Sequence, residues 1–199
     1  MNAESKPIIG IFGSAVGESM QTSALAEQLG QALARYDIVL VTGAGEGIPH
    51  QVVTAAYNAG AGEIWGFTQA RDLDELKKET PKIDVAIYSR FVFVPRSFPF
   101  DDIRVRRKYR NVISTATCDG GVVASGRWGT MHEFSGLYDV EKVIGVLIGS
   151  GGTADLLADN FGRINKPNKA VVIFEKDPQR LVESVLTEVK KRKAHHEHN

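Results

Sequence analysis

RNVISTATCDGGVVASGRWGTMHE, residues Arg110 to Glu133, decides how this chain is read. An amphipathic stretch leads into the apolar run Gly121–Ala124. A glycine-rich turn follows, Ser125-Gly126-Arg127-Trp128-Gly129-Thr130, and then a second amphipathic stretch. The order is helix, buried strand, turn, helix. Glycines let a backbone come close to an anion, and the N–H groups of a starting helix point at it. The turn is therefore a candidate phosphate cradle, with Arg110 before it and Glu133 one turn into the next helix.

Outward from this stretch the pattern repeats. Short apolar runs are expected to form strands at Pro7–Phe12, Ile38–Thr42, Glu63–Phe67, Phe91–Val94, Gly121–Ala124, Val143–Ile148 and Ala170–Phe174. Several are β-branched and almost continuously apolar, as strands buried on both faces should be. Helices are expected at Met20–Tyr36, Pro49–Asn58, Asp101–Thr117, Thr130–Tyr138, Ala154–Phe161 and Pro178–Arg192. Thr68–Asp84 is charged and aperiodic, and reads as a loop or a short surface helix. Alternation of strand and helix predicts an α/β, Rossmann-like, three-layer domain whose central sheet is mostly parallel, with about seven strands. Residues 1–194 are read as one domain and 195–199 as a disordered tail.

Ligands of such sheets sit beyond the carboxyl ends of the strands. Glycine turns follow the first strand (Gly13-Ser14), the second (Gly43 to Gly47), the fifth (Gly126 to Thr130) and the sixth (Gly149 to Thr153). One such turn is weak evidence, because these loops use glycine anyway. Several at one sheet edge are more specific. A dinucleotide site of the G-x-G-x-x-G kind is not supported, since neither that spacing nor an acidic end to the second strand is present. A Walker loop and a G-x-S-x-G elbow are also missing. His50 and His132 lack metal-ligand spacing, so no metal site is assigned.

Composition narrows the classes further. The 199 residues carry 24 basic and 24 acidic side chains, for no net charge. That balance gives no support for non-specific nucleic-acid binding or for an anionic membrane surface. No apolar run is long enough to span a bilayer, and the first residues lack a signal-peptide pattern. Cys118 is the sole cysteine. These observations lead to the expectation of a cytoplasmic protein that uses a small-molecule ligand, with neither nucleic acid nor membrane as partner.

The residues of the central stretch resemble those of the LOG (Lonely Guy) proteins. Arg110, Asp119, Gly126, Gly129-Thr130 and Glu133 follow, without gaps, the pattern R-K…D…P-G-G-x-G-T-x-E-E, and the earlier turns Gly13-Ser14 and Gly43-Ala44-Gly45 are similar too. The resemblance spans about residues 7–175. It implies a phosphoribohydrolase that cleaves the N-glycosidic bond of AMP-like purine nucleoside 5′-monophosphates, with no metal or redox cofactor. Arg110 and Glu133 match the family's catalytic pair. Gly13, Ser14, Gly43, Gly45, Gly126, Arg127, Gly129 and Thr130 fall at its phosphate- and nucleotide-binding turns. It also implies at least a homodimer, expected here around helix 101–117. The lysine decarboxylase label given to some members has no support, as no lysine in these loops stands out.

Four positions depart from the pattern: Ser125 for proline, Arg127 for glycine, His132 for glutamate and Asn111 for lysine. The Arg-Asn pair is more similar to a neighbouring branch that includes molybdenum-cofactor carriers. A non-catalytic protein that holds a nucleotide or a pterin phosphate is therefore the alternative. Individual residues keep plain readings as well: Glu133 as a first-turn acid, Thr130 as a helix cap, and Trp128 as either a base-stacking or a packing residue. Phe91, Phe93, Phe98 and Phe100 either form an intrachain cluster or cover a site or a neighbour.

Overall fold

A computed structural model describes residues 5–15, 19–164 and 166–196. Seven strands form one sheet: β1 (Ile8–Gly13), β2 (Val39–Thr42), β3 (Glu63–Phe67), β4 (Arg90–Val92), β5 (Gly120–Ala124), β6 (Val143–Leu147) and β7 (Val171–Glu175). Every neighbouring pair is parallel. The helices are α1 (Met20–Leu33), α2 (Ile48–Asn58), α3 (Leu73–Glu79), α4 (Ile103–Thr117), α5 (Trp128–Asp139), α6 (Gly152–Ile164) and α7 (Pro178–His196).

Side chains that alternate along a strand point to opposite faces, and the core divides accordingly. Ile9, Ile11, Leu40 and Val122 pack with α1, α2 and α7 on one face. Phe12, Val41, Val123 and Ile144 pack with Phe134 and Leu137 of α5 and Leu157 of α6 on the other. Both faces are covered, which is why β5 and β6 are buried at every position. The result is the three-layer α/β fold anticipated from the alternation.

The strand order is β4-β3-β2-β1-β5-β6-β7. From β1 the chain moves outward to β4, then returns to β5 on the other side of β1. The sheet therefore changes direction between β1 and β5, where Gly13 pairs with Ala124. A crevice opens at such a point because the loops on either side lead away from each other.

Several boundaries differ from expectation. α5 begins at Trp128, with Arg127 at the N-cap position. Thr130 is thus the third helical residue, not the cap. The 68–84 segment contains α3, started by the Asp72 side chain accepting from the Glu75 amide. β4 ends at Val92, ahead of Pro95. α7 runs on to His196, into the span read as tail; 197–199 lie outside the described residues. The four phenylalanines separate: Phe91 stacks on Phe93, whereas Phe98 meets Phe100 and Tyr109.

Candidate functional site

Three turns meet at the β1–β5 crevice. After β1, Ser14 is buried and its carbonyl accepts from the Ile48 amide at 2.8 Å. The facing residue must be Gly47: its φ is 94°, and a Cβ there would stand 2.1 Å from the Ser14 carbonyl oxygen. After β2, the Thr42 hydroxyl accepts from the Ala44 amide and holds Ala44 at φ 45°. Gly43 then lies flat under the Arg110 guanidinium. A Cβ at Gly43 would come within 2.3 Å of Arg110 Nη1, so any side chain here would displace the arginine. A Cβ at Gly45 would meet only the Gly43 carbonyl oxygen, at 4.0 Å, so this glycine borders open space.

The turn after β5 is fixed from behind. The Ser125 amide donates to Ser150 Oγ at 2.7 Å, which in turn donates to the Leu147 carbonyl. The Gly126 carbonyl accepts from the Thr153 amide and the Ser125 carbonyl from the Ala154 amide. The glycine turn after β6 thus braces the turn after β5. Ser125 has φ 58°. A proline ring holds φ near −65°, so the proline of the LOG pattern does not fit this backbone. The departure at this position is conformational as well as chemical.

α5 starts without a side-chain cap: Arg127 makes no capping hydrogen bond. Uncapped first-turn N–H groups and the helix dipole favour an anion. Gly129 faces open space, while Thr130 is buried with its side chain against Gly126.

Arg110 and Glu133 face each other between these turns, with Nη1 and Oε1 3.3 Å apart. Both side chains are almost wholly buried, at 12% and 9% exposure. Burial pushes the Glu133 carboxyl up to about 7, against the pull of Arg110, and it pulls the guanidinium of Arg110 down. Arg110 Nε has no partner. A single long contact does not repay desolvation of both ions.

Two cavities open beside the pair. One, of about 70 Å³, lies against Phe12, Gly43, Gly45, Glu46 and Pro49. The other, of about 220 Å³, is bounded by Ser14, Arg107, Asn111, Arg127, Gly129 and Thr130. Arg110, Glu133 and Gly13 line both. Gly13, Ser14, Gly43, Gly45, Arg127, Gly129 and Thr130 thus converge with Arg110 and Glu133, and Gly126 supports them from behind. Reading the sequence missed Arg107 and Asn111 as lining residues. Arg107 stands one helical turn before Arg110, a spacing visible in the sequence.

Other residues fall elsewhere. Asp119 lies at the opposite end of β5, where it accepts from the Ile8 amide and Lys193. Arg106 of α4 is buried and pairs with Glu75 and Glu79. His50 bonds the Tyr88 hydroxyl away from the crevice. Among the described residues no group of three or more His, Cys, Asp or Glu gathers as metal ligands, and no helix is long and apolar enough to cross a membrane.

The family model for the SLOG cluster4 family matches residues 6–182. The chain belongs to the SLOG cluster4 family. No curated protein matches it. Among solved structures, this SLOG cluster4 protein is similar to TM1055, at 17% identity and TM-score 0.72, over 92% of this chain and 99% of that one. The molybdenum cofactor binding protein of Rippkaea orientalis is similar at 18% identity and TM-score 0.68, over 94% and 99%. DNA processing protein A of Helicobacter pylori, described for its single-stranded DNA binding mode, is similar at 15% identity and TM-score 0.65, over 92% and 81%. At these identities the likeness establishes the fold. The family match agrees with the LOG-like resemblance read from the residues.

Proposed function

We propose that this SLOG cluster4 protein is a phosphoribohydrolase acting on purine nucleoside 5′-monophosphates. The observation that carries the reading is the buried Arg110–Glu133 pair at the sheet's switch point, with the carboxyl titrating near neutrality beside an uncapped helix start. A general base works best when its pKa lies close to the working pH.

In this reading the 5′-phosphate rests on the first turn of α5, with Arg107 and Arg127 adding charge. The ribose lies against Glu133. The C1′–N bond breaks with its electron pair leaving on the base, which takes a proton from solvent as it departs, and Glu133 later returns to solvent the proton it receives. The ionised Glu133 stabilises the oxocarbenium-like sugar and takes the proton of the water whose oxygen bonds to C1′. Arg110 holds Glu133 in place and keeps it partly ionised. The products are free base and ribose 5-phosphate. We further propose a cytoplasmic homodimer that meets through α4, and a small ligand rather than nucleic acid.

A second reading, a non-catalytic nucleotide or pterin-phosphate carrier, draws on one observation. The turn at Ser125 has a backbone that the LOG proline does not fit. The Rippkaea orientalis neighbour, a molybdenum cofactor binding protein, points the same way. Incubation with a panel of nucleoside monophosphates separates the two. Release of base, lost in Glu133→Gln, supports the hydrolase. Saturable binding with no release supports the carrier.

A further inference from the structure

The first turn of α5 has space on both sides. On the Arg110 side is the cationic cavity already described. On the α6 side lies a second cavity of about 340 Å³, bounded by Arg127, Trp128, Met131, Thr153 and Leu156. The two share Arg127 as their common wall. The second cavity is mostly apolar, and it is larger than the lobe at Gly43–Glu46. Trp128 is 85% exposed and Leu156 58% exposed at its rim. Together the indole and Leu156 give the mouth of the cavity an apolar rim on which a planar ring can stack.

An independent observation in the cationic cavity also points to a ligand. Asn111 is only 2% exposed, lines the cavity, and leaves its Oδ1 without a partner. A buried acceptor without a donor is costly, and a hydroxyl of a bound ligand, such as a sugar's, is one way to satisfy it. The charges there are unbalanced as well. Arg110 is matched by Glu133, while Arg107 and Arg127 line the cavity with no ion-pair partner among the described residues.

We propose that the ligand carries groups on both sides of its phosphate: a diphosphate-linked conjugate of the dinucleotide kind, with one planar ring resting on the Trp128 indole between Met131 and Leu156. Its two phosphates, each with a single negative charge, match Arg107 and Arg127 across the start of α5. The sugar on the other side reaches Glu133. The proposal rests on the reading of this helix start as the phosphate site, and it holds whether or not a bond is cleaved. It also accounts for the fourth glycine turn: Gly152 packs against Gly126 and forms the floor of the ring cavity, where a Cβ would stand 2.2 Å from the Gly126 carbonyl oxygen.

The test uses the full chain with AMP and diadenosine diphosphate as probes, followed by calorimetry and indole fluorescence. Diadenosine diphosphate is expected to bind at least tenfold more tightly than AMP and to quench Trp128. Trp128→Ala should cost it tenfold and AMP less than twofold, and Trp128→Phe should keep much of the advantage, as stacking requires. Equal affinity for the two probes, or an equal loss for both in Trp128→Ala, overturns the proposal and leaves the phosphate site standing. Failure of both probes to bind overturns the phosphate site as well. A fall in oligomeric mass in Trp128→Ala by light scattering assigns the indole to a contact between copies of the chain and overturns the ring subsite.

Discussion

Arg106 and Arg110 sit one turn apart on α4, are both buried, and both face glutamates, yet their surroundings differ. Arg106 donates to the Gln69 carbonyl at 3.0 Å, and its Nη2 lies 2.8 Å from Glu75 and 3.7 Å from Glu79. The hydrogen bond from Arg106 holds the Glu75 carboxyl below its ordinary value. Arg110 has one carboxylate at 3.3 Å, and burial drives that carboxyl up to about 7. The first arginine is better matched, with a carbonyl and two carboxylates around it although its Nε also has no partner, and it fastens α4 to α3. The second is kept short of satisfaction. Strongly shifted groups that face a cavity are where binding and proton transfer are found. Burial and an opposite charge do not by themselves distinguish scaffold from site. Here the cavities beside Arg110 and Glu133, together with the upward direction of the carboxyl, mark the second pair out.

The comparison breaks most readily at Glu133. Glu133→Gln is expected to lower base release by about 10²-fold or more while nucleotide affinity stays within about threefold. Single-turnover assays and calorimetry check both halves, and wild-type-like turnover would remove Glu133 from the chemistry.

Stability should show the reverse ranking. Arg106→Met leaves Glu75 and Glu79 facing one another, at an expected cost of about 3 kcal/mol. Arg110→Met removes an ill-matched buried cation, and Glu133, already raised to about 7, can take up a proton in its absence, so the cost is expected to be smaller than that of Arg106→Met, while nucleotide binding falls. Denaturant midpoints measured side by side decide this. Equal losses would make the two pairs equivalent.

The pH dependence sharpens the contrast. A glutamate raised to about 7 in the fold holds a proton that the unfolded chain releases nearer pH 4.5. Its contribution to stability is complete below the unfolded value and is lost as pH rises through 7. Glu133→Gln should therefore stabilise the protein more at pH 8 than at pH 5, whereas Glu75→Gln should show no such gain. Urea titrations at the two pH values test this. Base release by the wild type should rise with an apparent pKa of about 7.

The smallest effect is expected at the outer end of the same helix. Arg104 pairs with Asp102 in water, its guanidinium side chain 84% exposed, and Arg104→Ala should leave the melting midpoint and base release unchanged. A measurable loss of turnover would extend the site beyond the crevice.

Most of the fold was legible because each strand announces itself as an apolar run between breakers. Gly121–Ala124 is apolar throughout and ends at a serine-glycine turn. Helix starts were less legible. Thr130 is a good cap by type, but bracing by the Ser150 hydroxyl and the Thr153 amide sets the turn, and α5 begins two residues earlier. Arg110 and Glu133 were singled out by motif, whereas their mutual burial depends on α4 and α5 packing side by side. Arg106 and Asn111 were passed over as buried residues for one reason. In a run such as DDIRVRRKYRN, sequence alone does not tell which polar side chains the neighbouring helices will cover.

The pairing of β1 with β5 sets an order of events as well as a shape. Ile9 lies beside Gly120, so the crevice cannot close until β5 has left the ribosome. Until then β1 to β4 form a half-sheet whose β1 edge is unpaired and exposed to any strand that meets it first. Such distant parallel pairings are slow to form and prone to association while they wait. The binding crevice is therefore a late arrival during synthesis, and its occupancy can serve as a direct readout of how many newly made chains have joined the two halves of their sheet.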